Sequence, residues 1–549
     1  MDGTTELSGH GGELALAALR AHGVETMFTL SGGHVFPLYD AAVHADPPMR
    51  IVDVRHEQSA VFAAEAVAKL TRRPGLAVLT AGPGVTNGVS AVTTAHFNGS
   101  PVLVLGGRAP QGAWGRGSLQ ELDQPPLLAP VTKSAATAAT TADIAAAVDA
   151  ALRAATSPHR GPVFVDIPVD EIFSAARIPA PVPPVRVPVQ PDPGDLARVA
   201  ELVASAQRPV LVLGGDVWAD GAEDAALRFA ESLGLPVIAN GMGRGILPAG
   251  HPQLVTRARG KAFGAADLVV VAGTPLDFRL GFGAFGGRGG NPPSAVVHLA
   301  DSPGQVAAHL NLAGSAAGDL SAVFDGILAA VPAKPDATAW VATLRAVADA
   351  ALAEDAELLA SDADPVHPAR IYGELMRRLE PDAVVIGDGG DFVSFAGRFV
   401  EPARPGCWLD PGPYGCLGTG LGYAMGARIA RPDAQIALLL GDGAAGFSLM
   451  DVDTLVRHKL PVVMVVGNNG IWGLEKHPMK LLYGWDVAAD LQPQCRYDEV
   501  VRALGGAGEL VTRPADIGPA LDRAFASGVP YLVNVATDPE VAYPRSTML

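Results

Sequence analysis

Two apolar segments of this chain each run into a short polar signature. QIALLL leads into Gly441-Asp442-Gly443, and PVVMVV leads into the sequence around Asn468-Asn469-Gly470. A helical stretch lies between them, so the pattern specifies a βαβ unit with two neighbouring parallel strands. Both signatures then fall at the carboxyl ends of the strands, where open α/β sheets bind ligands. Asp442 and Asn469 stand 27 positions apart. A carboxylate and an amide oxygen are hard donors suited to Mg²⁺, which prefers octahedral oxygen coordination and often takes some of it from phosphate. Gly443 lets the backbone approach a phosphate closely, and the helix opening through Asp442, Gly443 and Ala444 turns its N-terminus toward one. A lone Gly-Asp-Gly is more often an ordinary turn. The intervening helix and the second signature convert it into a candidate clamp for a metal-bridged diphosphate.

The rest of the chain repeats the same alternation. At 549 residues it is too long for one core. Strand-like runs (ETMFTL, LAVLT, PVLVLGG, PVFVDIP) alternate with helical patterns in residues 1–177. A proline-rich stretch at 178–195 is expected to be extended and to act as a linker. The alternation returns in 196–335, is broken by a second linking segment at 336–367, and returns again in 368–549, which ends in the tail VAYPRSTML. Strands alternating with helices imply parallel sheets covered on both faces. The expected fold is therefore α/β, with three doubly wound parallel-sheet domains in series. Apolar residues make up 49 % of the chain but aromatics only 6 %, so the cores must be built mainly from Ala, Val and Leu. A net charge of −17 argues against nucleic acid or an anionic membrane as partner. No apolar run approaches the ~20 residues of a membrane span. The polar start of the chain is no signal peptide, and three scattered cysteines form no disulfide framework, which fits a cytoplasmic location.

The strand–GDG–helix–strand–NN pattern resembles the diphosphate motif of thiamine diphosphate (ThDP) enzymes. The resemblance implies that Asp442, Asn469 and the backbone carbonyl of Ile471 ligate Mg²⁺. It also implies a buried acid that bonds the cofactor's aminopyrimidine nitrogen, so that the cofactor can lose its own thiazolium proton. Such an acid should follow a strand in the first domain and open an apolar helix. Glu57, in IVDVRHEQSAVFAAEAVAKL, meets that description. In isolation it is equally a first-turn glutamate favoured by the helix dipole, and Glu65 is the alternative acid. TAGPGVTNGVSAV, with Pro83 and Asn87, resembles the loop that faces the thiazolium and diphosphate of a neighbouring subunit. GPYGCLGTGLGYAMGA resembles the pyrimidine-binding turn. There Gly415 would accept from the 4′-amino group and Leu417 would wedge the cofactor into its bent form, unless Leu417 is plain core. The chain thus resembles the ThDP-dependent decarboxylase/synthase superfamily over nearly its whole length. Pyrimidine-binding, central Rossmann-like and diphosphate-binding domains are implied in that order. So is a homodimer or homotetramer with active sites between subunits.

Several segments are most similar to the 2-hydroxyacyl-CoA lyase and oxalyl-CoA decarboxylase branch, among them SLQELDQPPLLAPVTK and NGMGRGILPAGHP. SGGHVFPLYDA and the Gln120-Glu121 pair are similar to acetolactate synthase large subunits. The expected activity is a C–C bond lyase or carboligase acting on a 2-hydroxyacyl-CoA or a 2-keto acid through a C2-carbanion/enamine intermediate. The alternatives are an acetolactate synthase condensing 2-keto acids and a non-catalytic ThDP-binding homologue, which would not need Glu57. FAD is possible in the central domain, but no GxGxxG supports it. Substrate selection is expected from His34, Phe97, Asn98, Gln120, Trp472, Glu475 and His477. Glu475 lies six residues after Asn469, where 2-keto-acid decarboxylases place an acid, so Glu475, His34 and Gln120 join Glu57 as catalytic candidates. A solvated Glu475 and a turn-bound His34 are the plainer readings.

Overall fold

The computed structural model describes residues 6–185, 187–287 and 289–543; the tail from Pro544 onward lies outside the described residues. Three parallel sheets follow one another along the chain. The first has six strands, ordered in space Arg50–Asp53, Thr26–Thr29, Gly75–Leu79, Val102–Arg108, Val163–Pro168 and Ala135–Thr137. The third also has six, ordered Trp408–Leu409, Val384–Asp388, Ile436–Gly441, Val463–Asn468, Tyr531–Ala536 and Ala507–Val511. Numbered by chain order within each sheet, both read 2-1-3-4-6-5. Two long segments of different sequence therefore wind the same way. The central sheet has five strands in the order 2-1-3-4-5, running from Val237–Ala239 to Gly314–Ala317. Interior strands such as Leu268–Ala272 (LVVVA) are fully buried, as expected where helices cover both faces. A small antiparallel pair, Glu6–His10 with Ala175–Pro179, ties the start of the first segment to its end. Its second strand takes in Ile178 and Pro179 of the proline-rich stretch, and the helix Pro193–Ser205 begins inside the same stretch. The helix Thr338–Leu359 occupies most of 336–367.

The alanine-rich composition has a direct structural use. The helix Glu57–Thr71 of the first segment lies against the helix Thr419–Ala430 of the third. A Cβ at Gly422 would stand 2.6 Å from the Phe62 Cβ, and one at Gly426 would stand 2.3 Å from the Ala63 carbonyl oxygen. Glycines four apart on one helix thus meet small residues on the other, so the two backbones approach closely. Phe62 and Tyr423 close the contact edge to face at 5.8 Å, a geometry adding about 1 kcal/mol to simple burial. Glu65, the alternative acid, is buried here with both oxygens occupied. Tyr423 donates to one at 2.9 Å, and Asn98 and Ser100 donate to the other at 2.8 and 2.9 Å. Its carboxylate fastens the two segments together. The central segment is anchored by Trp218, whose indole N–H donates to the Lys69 carbonyl at 2.7 Å under a stacked Arg72 guanidinium.

Candidate active site

The two polar signatures meet at the ends of adjacent strands, Ile436–Gly441 and Val463–Asn468. Asp442 is buried at the start of the helix Asp442–Ser448, and one carboxylate oxygen accepts from the Gly470 N–H at 2.6 Å. The other accepts from the Gly443 N–H at 2.9 Å. Burial pushes the Asp442 carboxyl up to about 6, the two N–H groups pull it back, and nearby Asp391 pushes it further up. Asn469 is held at both ends of its amide. Its Oδ1 accepts from the Ile471 N–H at 3.2 Å, and its Nδ2 donates to Asp391 at 3.4 Å. Asn468 does a different job: its Nδ2 bonds the Cys495 carbonyl and the Asn534 side chain, securing the strand end. Gly443 is required by packing, because a Cβ there would stand 2.5 Å from the Trp472 ring. A buried carboxylate, an amide oxygen with a spare lone pair and the nearby Ile471 carbonyl form an all-oxygen donor set. That set fits Mg²⁺.

The segment around Gly415 is set by an acid that the sequence pattern does not single out. Asp388 ends the strand Val384–Asp388, is fully buried, and accepts from the Gly418 and Gly420 N–H groups at 3.1 and 2.8 Å. Burial outweighs those bonds and pushes its carboxyl up to about 7. Asp388 thereby fixes the turn that carries Gly415, Cys416 and Leu417 into the helix Thr419–Ala430. Gly415 has φ +69°, and a Cβ there would meet nothing within 4 Å, so its backbone borders open space. Leu417 is half-buried rather than sealed in the core, as a side chain must be to present a wedge to a ligand.

In the first segment the structure gathers Glu57, Pro83, Asn87, Gln120 and His34 at the carboxyl end of the sheet. Glu57 is 7 % exposed, opens its helix and accepts from the Asn87 Nδ2 at 3.0 Å. Pro83 is the first residue of the helix Pro83–Phe97, a position that suits proline's fixed φ and missing N–H. A Cβ at Gly84 would lie 3.8 Å from the Glu57 carboxylate. Gln120 adopts φ +60° and packs on Gly82. His34 bonds Thr80 at 3.2 Å through Nδ1. Burial lowers its pKa, with the Leu119 carbonyl opposing, so the imidazole is neutral at pH 7. Another residue the sequence pattern leaves unmarked, Gln124, holds this loop from behind. It accepts from the Gly82 N–H at 2.8 Å and donates to Gly107 and Asp166, both at 2.9 Å.

The remaining substrate-selecting candidates separate. Phe97 and Asn98 lie at the far end of the helix that Pro83 begins, about 20 Å away. Phe97 stacks on Tyr414 at 5.3 Å, and Asn98 serves the Glu65 network. Trp472 covers Gly443. Glu475 is exposed on the helix Gly473–Tyr483. His477, on the same helix, has a buried Nε2 without a partner and acts electrostatically on Asp391. A cavity of about 710 Å³ lies where the three segments meet, between Phe97–Pro101, Gly215–Ala219 with Gly273–Pro275, and Gly412–Pro413.

A parallel-sheet pair of like winding, with an oxygen-donor clamp on one sheet and a buried acid at the carboxyl end of the other, defines a cofactor-binding α/β enzyme. The chain belongs to the thiamine pyrophosphate enzymes. It matches their N-terminal TPP binding domain over residues 9–127, their central domain over 196–327 and their C-terminal TPP binding domain over 388–535. It is a thiamine diphosphate-dependent enzyme of the decarboxylase/synthase superfamily. It is 50 % identical to a probable acetolactate synthase of Mycobacterium bovis and to an acetolactate synthase large subunit of Mycobacterium tuberculosis, over 98 % of each chain. It is 35 % identical to 2-hydroxyacyl-CoA lyase 2 of Homo sapiens over 92 % of this chain and 85 % of that one. Among the described residues no helix is long and apolar enough to cross a membrane.

Proposed function

We propose that the chain is a ThDP- and Mg²⁺-dependent C–C bond lyase/carboligase acting on a 2-hydroxyacyl-CoA or a 2-keto acid, with the acyl-CoA as the favoured substrate. The observation that carries the choice is the 710 Å³ cavity at the junction of the three segments. Its wall at Gly412–Pro413 is three residues or fewer from Gly415, beside the proposed pyrimidine site. Such a space suits a bulky nucleotide carrier attached to the reacting acyl group. Relatedness to 2-hydroxyacyl-CoA lyase 2 supports the same choice.

The bound cofactor supplies an electron sink for breaking or making a C–C bond beside a carbonyl. Asp442, Asn469 and the Ile471 carbonyl would hold the metal beside its diphosphate. The Gly415 carbonyl and Leu417 would orient its pyrimidine end, and Gly443 and Ala444, at the start of the helix Asp442–Ser448, would border the phosphates. Glu57 would hold and return a proton at the pyrimidine ring nitrogen. Neutral His34 and the Gln120 amide would hydrogen-bond the substrate's carbonyl or hydroxyl oxygen, and Glu475 would donate or accept a proton there. The site is assigned to the interface of a homodimer or homotetramer. In support, apolar side chains stand exposed near both half-sites, including Leu119 at 77 %, Leu481 at 79 %, Phe447 and Trp485. Unpaired Cys407, Cys416 and Cys495 suit a cytoplasmic location.

Acetolactate synthesis from 2-keto acids is the second reading, favoured by the 50 % identity over 98 % of each chain. A flavin could use the same cavity. The purified enzyme should be assayed side by side with pyruvate and with formyl-CoA plus an aldehyde, and its visible spectrum recorded. A 2-hydroxyacyl-CoA product without flavin absorbance is expected. Acetolactate alone would overturn the acyl-CoA assignment in favour of the second reading.

A further inference from the structure

The loop after the strand Val384–Asp388 carries a second acid, Asp391, whose surroundings lead directly to the metal seat. It opens the helix Asp391–Phe399 and accepts from the Phe392 N–H at 2.8 Å. It also accepts from the Asn469 Nδ2 at 3.4 Å. Asn469 presents two chemically different ends, and only its oxygen can ligate a cation. With Nδ2 committed to Asp391 and one Oδ1 lone pair to the Ile471 N–H at 3.2 Å, the amide is locked with oxygen outward and one lone pair free. If Asp391 is removed, the amide can turn and offer NH₂ to the cation. The site is also shaped around this acid: a Cβ at Gly473 would stand 2.3 Å from Asp391 Oδ2. His477 faces it from the next turn of that helix and acts on it electrostatically.

We propose that Asp391 is a positioning residue for the metal, orienting the Asn469 amide without itself binding Mg²⁺. This inference rests on the clamp reading above and deepens it. Outer partners of metal ligands typically change metal affinity about 10- to 100-fold when lost.

The test is a Mg²⁺ titration of ThDP uptake, followed by calorimetry, on wild type, Asp391→Asn and Asp391→Ala. Thermal melts of the cofactor-free proteins are recorded alongside. Asn keeps one acceptor oxygen for the Asn469 Nδ2; Ala keeps none. The expected result is that Asp391→Ala needs at least about tenfold more Mg²⁺ for half-saturation and Asp391→Asn less than that, while the metal-free melts stay close to wild type. An Asp391→Ala variant that takes up ThDP at wild-type Mg²⁺ concentrations would overturn the inference alone. So would a loss of affinity accompanied by an equal loss of metal-free stability, since that is a structural role. A wild type that takes up no ThDP with Mg²⁺ would overturn the clamp reading, and this inference with it.

Discussion

Replacing Glu57 by Gln separates a proton-handling acid from a helix-capping one. The side chain is 7 % exposed and its Oε2 accepts from Asn87 at 3.0 Å. Glutamine has the same size, and its amide oxygen can still accept that bond. The structural loss is then one weakened hydrogen bond and a charge at a helix start, together about 1 kcal/mol. The catalytic loss is larger. A positioned acid or base contributes about 10²- to 10⁴-fold, or roughly 3–5 kcal/mol of barrier at 1.36 kcal/mol per decade. Glutamine cannot exchange the proton, so turnover should fall by that factor while the protein stays folded and binds ThDP. The assay is steady-state turnover at saturating ThDP and Mg²⁺, with cofactor uptake and melting measured on the same samples. Glu65→Gln is the control: it breaks into the Tyr423–Asn98–Ser100 network and should lower the melting temperature first. A Glu57→Gln enzyme that turns over within about threefold of wild type, against the 10² minimum expected of an acid, would refute the reasoning.

Gly443→Ala places a methyl 2.5 Å from the Trp472 ring, so the indole must move; the expected cost is about 1–3 kcal/mol, read as weaker ThDP binding by calorimetry. Glu475→Gln should lower kcat about tenfold or more, with melting temperature and ThDP affinity unchanged; an unchanged kcat would make Glu475 a solvated charge. Asp388→Asn should change the pH dependence of stability. Its folded-state carboxyl is raised from 3.8 to about 7, so the folded chain keeps a proton that the unfolded chain releases, and stability falls as pH rises through that window. The variant should lose that slope in melts recorded between pH 4 and about 8, just above the folded pKa.

The strands were legible because β-branched apolar runs buried on both faces leave a plain signal, and the meeting of Asp442 with Asn469-Gly470 because the two signatures share one βαβ unit. The place of Glu57 at the head of an alanine-rich helix was legible, and the structure adds that both oxygens of Glu65 are taken by Tyr423, Asn98 and Ser100. Asp388 and Asp391 were not legible. GDGGD after a strand reads as a turn, and what its acids hold, the N–H groups of Gly418 and Gly420 and the amide of Asn469, lies 30 to 78 positions away. Gln124 was hidden for the same reason. Phe97 and Asn98 end the 15-residue helix that Pro83 begins, and there they line the junction cavity beside Gly412 and Pro413. The junction cavity has no local signature at all, since three distant segments build it.

One loop therefore serves both ends of the proposed cofactor site. Asp388 fixes the turn bearing Gly415 and Leu417, and three residues later Asp391 holds the clamp's Asn469. Gly389 lies between them with φ +126°, and a Cβ there would stand 3.0 Å from the Gly441 N, just before Asp442. The proposed pyrimidine turn and metal seat are thus built on one short, tightly packed piece of backbone. A side chain at position 389 would be strained by that φ and would press on the strand end that carries Asp442. Gly389→Ala should consequently weaken Mg²⁺-dependent ThDP uptake and also lower turnover at saturating ThDP and Mg²⁺, whereas two independently built half-sites would lose only one.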